Sequence, residues 1–196
     1  TTLGFRDVLE VGRGNRLVLY NIKATRPPAL VPRSRCIEID ERTLFDGTVL
    51  REVAPAEVDA ALARLRTQGI EAVAVCYLHA YANDQNERIT RELLEKAAPE
   101  LSVSTSSEIL PEYREYERFA TTVLNAYVAP RMRRYLGALR DRLAALDYRR
   151  PVAIMTSNGG TMSVETAAEL PVHSMLSGPA AGVIGATVVG RAAGYG

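Results

Sequence analysis

The chain is poor in the residues that build disulfide frameworks and metal sites. Its 196 residues include two cysteines, two histidines and no tryptophan. Cys36 and Cys76 each fall in an apolar, strand-like run, so neither a disulfide scaffold nor a zinc site is indicated, and both thiols are expected to be buried and inert. An excess of one charge is missing too. The 24 basic and 23 acidic side chains leave a formal net charge of +1, which gives no overall pull toward nucleic acid or an anionic membrane. No apolar run approaches the roughly 20 residues needed to cross a bilayer and no signal peptide opens the chain, so a cytoplasmic location is expected. Lysine is nearly absent, with Lys23 and Lys96 set against 22 arginines. That bias reads as GC-rich codon usage more than as demand for guanidinium chemistry.

What is present is a 47% apolar content, enough for a real core in one sizeable domain or two small ones. Ala24 to Pro32 reads as an extended linker because its prolines remove donors and fix φ. Cys36 to Asp40 and Thr48 to Leu50 alternate as strands around Asp46-Gly47, a preferred hairpin dipeptide. Pro55 opens a helix whose stripe is Val58, Ala61, Leu62 and Leu65, with Gly69 as its C′ residue. Ala72 to Leu78 has the length and continuity of a strand buried on both faces. A helix capped near Asn83 or Asp84 keeps Ile89, Leu93 and Leu94 on one face until Pro99, and Leu101 to Ser104 is a further strand. Strand, helix, strand in that order predicts a parallel α/β layer.

From Glu115 to Leu146 apolar positions recur every three or four residues, among them Phe119, Val123, Tyr127, Tyr135, Leu136, Leu139, Leu143 and Leu146. The pattern predicts one long helix or two, with Pro130 at a kink or in the first turn of the second. A buried strand (Val152 to Thr156), an Asn-Gly-Gly turn, a short helix from Ser163 and a glycine-rich helix from Gly178 follow.

The candidate site residues divide into two groups. Ser157, Asn158, Gly159 and Gly160 sit at the carboxyl end of a predicted strand, where open α/β sheets bind ligands; the same four also suit an ordinary strand-to-helix turn with Asn158 and Gly159 at positive φ. Ser177 suits a helix cap and Gly178-Pro179 its first turn, a place for an anion, whereas Gly182 and Gly185 suit close packing of that helix on a sheet. In the other group, Glu108, Glu112, Glu115 and Glu117 cluster before and within the long helix. They suit acid/base work or Mg²⁺, and equally the preference of a helix first turn for acids. Glu117 and Arg118 stand next to Thr121, Thr122 and Asn125. His79 lies at a strand end, on the opposite face from Cys76, which suits a hydrogen-bonding role at a sheet edge better than a Cys–His dyad. The arginines from Arg131 to Arg150 read as a solvated helix face, since no aromatic platform for bases accompanies them.

Several blocks together resemble a known family. They are Gly4-Phe5-Arg6-Asp7-Val8, Leu110 to Arg118, Thr121 to Tyr127, Ser157-Asn158-Gly159-Gly160 and Ser177 to Ala186, and they resemble the A subunit of the ATP-dependent hydantoinase and 5-oxoprolinase family. The resemblance implies a ribonuclease-H or actin-like ATPase scaffold, α/β in class, whose lobes close over ATP and Mg²⁺. It implies activation of a cyclic amide of the hydantoin or 5-oxoproline class by phosphorylation at oxygen, or of a ketone before carboxylation, with a hydantoinase B-type partner. It also implies two Asp-x-Gly-Gly-Thr phosphate loops that this sequence does not contain, so the chain reads as an internal piece that is inactive alone. On this reading 1–32 is an N-terminal segment and linker, 33–110 an α/β subdomain, 111–150 a helical segment and 151–196 the start of the actin-like core. A reading of another class makes the chain a lid or subunit-docking module, motivated by the arginine-rich helix.

Overall fold

A computed structural model describes every residue except 16, 17, 19, 22, 25–27 and 196. The proline-rich linker expected over 24–32 lies partly outside the described residues. The chain divides into two units, Thr1–Tyr127 and Val128–Gly196.

The first unit opens with one turn of helix, α1 (Val8–Val11), followed by a hairpin of β1 (Arg42–Thr43) and β2 (Val49–Arg51). Gly47, at φ +86°, makes its turn, as Asp46-Gly47 predicts. The first strand of the hairpin lies later than expected. Ile39 forms a parallel bridge with Thr2 instead, so the residues from Cys36 to Asp40 align with the start of the chain. Cys36 follows a 3₁₀ turn (Arg33–Arg35) and is half-buried, which corrects the expectation of a buried strand thiol.

Next comes α2 (Pro55–Thr67), with proline in its first turn and Gly69 at φ +61° just past its end. Val58 and Leu62 are its buried face. The unit of strand, helix and strand is β3 (Ala72–Val75), α3 (Gln85–Ala97) and β4 (Ser102–Thr105), with the strands parallel and in register from Ala72 opposite Ser102 to Val75 opposite Thr105. Val58, Leu62, Val75, Leu94, Leu101 and Val103 belong to one core, each large side chain contributing about 1.5–3 kcal/mol by leaving water. A short α4 (Ser106–Ile109) leads to α5 (Glu115–Ala145).

α5 is one continuous helix of 31 residues with Pro130 inside it, which settles the choice between one helix and two. Proline lacks the N–H that would bond Ala126, so the ladder loses a rung there. The boundary between the units falls within this helix, at Tyr127 and Val128.

In the second unit β5 (Ala153–Met155) pairs antiparallel with β6 (Thr161–Ser163), followed by α6 (Val164–Glu169), a 3₁₀ turn and α7 (Ser177–Ala192). Two expectations are corrected. β5 is exposed or half-exposed along its length, because its apolar residues serve a two-stranded hairpin and not a sheet covered on both faces. β6 had no apolar signal to announce it. Ser163 caps α6 by accepting from the Thr166 N–H at 3.1 Å.

Candidate functional site

The strongest concentration of buried polar groups lies at the carboxyl ends of β3 and β4. Glu87, in the first turn of α3, is fully buried among donors. Its Oε1 accepts from the Tyr77 N–H (2.8 Å) and the Ser106 hydroxyl (2.6 Å), and its Oε2 from the Ser107 N–H and hydroxyl (both 2.8 Å). Arg118, entering from α5, is also fully buried. It donates from Nε to Ser106 Oγ (3.2 Å), from Nη1 to the Glu112 carbonyl (2.6 Å) and from Nη2 to the Tyr77 carbonyl (3.0 Å). Ser106 thus bridges the carboxylate and the guanidinium, and the same guanidinium lies 5.4 Å over the rings of Tyr81 and Phe119.

This knot joins the loop after β3, the start of α4, α3 and α5. It is continued down α5 at helical spacing by Thr122, whose hydroxyl donates to the Arg118 carbonyl, and by Asn125, whose Nδ2 donates to Ser104 Oγ at 3.1 Å. A second buried group stands beside it. Glu41 accepts from Thr2 and from Asn86 Nδ2 (2.7 Å), and Thr2 Oγ1 in turn accepts from the Leu78 N–H (2.8 Å).

The electrostatics follow from the burial. Loss of water raises the pKa of Glu87 and of Glu41 above the usual carboxylate range, the hydrogen bonds to each working in the opposite direction. Burial likewise lowers Arg118, with Glu87 as the main opposing charge. The Cys76 thiol is pushed up to about 12 by burial, so it is inert as expected.

His79 sits on the turn leaving β3, half-buried, at φ +56°. The Tyr81 hydroxyl lies 3.4 Å from its Nδ1. The structure therefore brings His79 and Arg118 to the two sides of Tyr81, while Asn125 lies further along α5 against Ser104 of β4. Glu117 is not with them. It points away to an exposed pair with Arg13 at 2.6 Å, and Glu108 pairs with Arg91, so the expected acidic cluster is divided among arginines. Glu87, Ser106, Thr2 and Glu41 carry the site without having been singled out by sequence. For Glu87 a signal existed: with Thr90 and Leu94 it falls on the inner stripe of α3.

The glycine-rich residues lie in the second unit. Ser157-Asn158-Gly159-Gly160 is the tight turn between β5 and β6 and not a strand-to-helix turn. Gly159 alone takes positive φ, +89°, and a Cβ there would stand 2.9 Å from Ile184 Cδ1. Asn158 Oδ1 accepts from the Gly160 N–H at 3.1 Å, and the Ser157 N–H donates to the His173 carbonyl at 2.8 Å. Ser177 is the first residue of α7 and not its cap. Leu176, left-handed at φ +60°, holds that place without a side-chain bond. Gly178 is helical, and a Cβ on it, on Gly182 or on Gly185 would meet nothing within 4 Å. The expected close packing of Gly182 and Gly185 is absent among the described residues, and α7 buries no residue.

Two family models match the chain: the hydantoinase/oxoprolinase N-terminal region over residues 1–98 and hydantoinase/oxoprolinase over residues 118–196. The caprolactamase alpha subunit of Pseudomonas jessenii is 33% identical over 181 residues, covering 91% of this chain and 26% of that protein. The acetone carboxylase beta subunit of Xanthobacter autotrophicus is 34% identical over 179 residues, covering 86% of this chain and 24% of that one. The crystal structure of the ATP-dependent caprolactamase from Pseudomonas jessenii superposes with a TM-score of 0.83 over 96% of this chain and 28% of that chain, at 33% identity. The chain thus spans about a quarter of the length of the relatives it matches.

Proposed function

The chain belongs to the hydantoinase/oxoprolinase family, and from that premise we propose that it is part of an ATP-dependent amidohydrolase that opens a cyclic amide of the hydantoin or 5-oxoproline class. The observation that carries the reading is a family match at both ends of the chain together with a one-third identity to a lactam hydrolase subunit. The chemistry is coherent. A ring amide resists water because nitrogen donates into the carbonyl. Transfer of the γ-phosphoryl group of ATP to the amide oxygen, with ADP and the N–H proton leaving, commits the nitrogen lone pair to a C=N bond and opens the carbon to water; C–N cleavage then opens the ring, and the acyl phosphate that remains loses phosphate to a second water.

Within this proposal the scaffold is actin-like and cytoplasmic, with residues 151–196 opening its core and 1–32, 33–110 and 111–150 forming the preceding parts. Ser157 to Gly160, Ser177 and Gly178 serve the nucleotide. The open first turn of α7 supports that placement, since nothing crowds Gly178. Among the described residues no three His, Cys, Asp or Glu side chains converge on a point that would hold a metal ion, so they offer Mg²⁺ no all-protein cage. The partner is a B-type subunit, in keeping with relatives that are named as subunits.

The 34% identity to an acetone carboxylase subunit favours a second reading in the same family, activation of a ketone for carboxylation. A docking module is the reading of another class, supported by Tyr127 and Tyr135, both exposed on α5. Phosphate release from ATP by the full-length protein, with its partner, separates the three. Stimulation by lactams or hydantoins supports the hydrolase, stimulation by ketones with bicarbonate the carboxylase, and no stimulation by either the docking module.

A further inference from the structure

The turn that leaves β3 holds a histidine in the left-handed region, which glycine adopts freely and non-glycine side chains adopt seldom, Asn, Asp and His more readily than others. His79 has φ +56°. The residues around it leave no freedom to relax. The Tyr77 N–H is bound to Glu87 at 2.8 Å, the Tyr77 carbonyl to Arg118 at 3.0 Å and the Leu78 N–H to Thr2 at 2.8 Å. The His79 carbonyl itself accepts from the Ala82 and Asn83 N–H groups at 2.9 and 3.3 Å. Strain fixed this firmly by buried side chains is characteristic of sites that use it. Packing does not explain why the residue is histidine, since Tyr77, Leu78 and Ala80 are buried and His79 is only half-buried.

The ring is held from one side. The Tyr81 hydroxyl lies 3.4 Å from Nδ1, the two rings meet edge-on with centroids 5.9 Å apart, and the Arg118 guanidinium lies 5.4 Å over the Tyr81 ring. When Tyr81 donates to Nδ1, the neutral imidazole carries its proton on Nε2, a donor suited to a carbonyl oxygen. The position is the carboxyl end of a strand in a parallel pair, where α/β sheets present their ligands.

We propose that His79 contacts the carbonyl group of the substrate, and that Tyr81 and Arg118 are positioning residues that fix its imidazole. The cyclic amide as substrate class rests on the function proposed above; the assignment of His79 rests on the strained turn.

Replacement by glycine separates function from structure, because it relieves the backbone while deleting the ring. In the full-length protein, His79→Gly is expected to melt at or above the wild-type temperature. Its kcat/KM for the amide should fall about tenfold or more with the KM for ATP unchanged. His79→Asn, which tolerates the same φ and keeps an N–H donor, should recover part of the loss, and Tyr81→Phe should lower kcat without altering the melting temperature. A His79→Gly protein with full amide turnover overturns the proposal, as does one that is less stable than the wild type. A loss expressed only in the KM for ATP also overturns it. A wild type with no amide-stimulated turnover instead overturns the amidohydrolase reading, and the substrate class falls with it.

Discussion

Arg118 and Glu87 are two charges without water, and the surrounding groups explain how they persist. Each oxygen of Glu87 accepts two hydrogen bonds, and each nitrogen of Arg118 has an acceptor. Removing Arg118 leaves the Tyr77 and Glu112 carbonyls without their donor and Glu87 without its opposing buried charge, so Arg118→Met should cost about 3–5 kcal/mol in chemical denaturation even though methionine fills much of the volume. The carboxylate has a pH signature of its own. With a folded pKa raised by burial, Glu87 keeps its proton to higher pH than in the unfolded chain, so its contribution is full in acid and lost as pH rises through the folded value. Glycines show the same dependence on local context. Gly159→Ala must force a left-handed alanine against Ile184 and should cost about 1–3 kcal/mol. Gly178→Ala sits in open helix and should stabilise by up to about 1 kcal/mol. Thermal melts of the two variants check both signs. The sequence already separated the two, placing Gly159 in a turn at positive φ and Gly178 in the first turn of a helix, as the structure has them; what it did not give is the contact of Gly159 with Ile184.

At the scale of elements, helical spacing located α5 to within a residue of its ends but misread its inner face. Phe119, Val123 and Leu136 are buried, whereas Tyr127, at 72% exposure, Tyr135 and Leu146 face solvent. The positions beside the apolar ones go to Arg118, Thr122 and Asn125, a polar stripe that apolar periodicity cannot register. Leu136→Ala should therefore cost about 2–5 kcal/mol and Tyr135→Ala near 0.5 kcal/mol, read by denaturant titration. The order β3, α3, β4 was legible because an apolar run and an amphipathic helix follow one another, but the strand expected over Ala72 to Leu78 and buried on both faces ends at Val75, the one fully buried residue of its four. The β5–β6 hairpin was not legible, since Thr161 to Ser163 alternates over three residues only, with Met162 its one apolar position. The strand-end site was legible only in part: His79, Arg118 and Asn125 drew notice as polar residues near a recognisable block, but no one-dimensional pattern announces that Thr2 meets Leu78 or that Ser106 joins Glu87 to Arg118.

For the whole molecule, the chain belongs to the hydantoinase/oxoprolinase family and spans about a quarter of its relatives, and the function proposed for it is ATP-dependent. Phosphoryl transfer depends on groups that converge on the triphosphate, and none of the described carboxylates forms a metal-holding cluster. The 196-residue chain by itself should bind Mg-ATP no better than a millimolar dissociation constant, about 4 kcal/mol, and release no phosphate, as titration calorimetry and a phosphate assay would register. The central claim is that the full-length protein phosphorylates an amide oxygen, and the fate of that oxygen tests it most directly. Ring opening of a cyclic amide labelled with ¹⁸O at the carbonyl, in the presence of ATP, should deliver the label to inorganic phosphate, because once the C–N bond has broken the phosphorylated oxygen leaves with phosphorus when water attacks the acyl carbon. Label retained wholly in the ring-opened carboxylate, with unlabelled phosphate, would contradict the account.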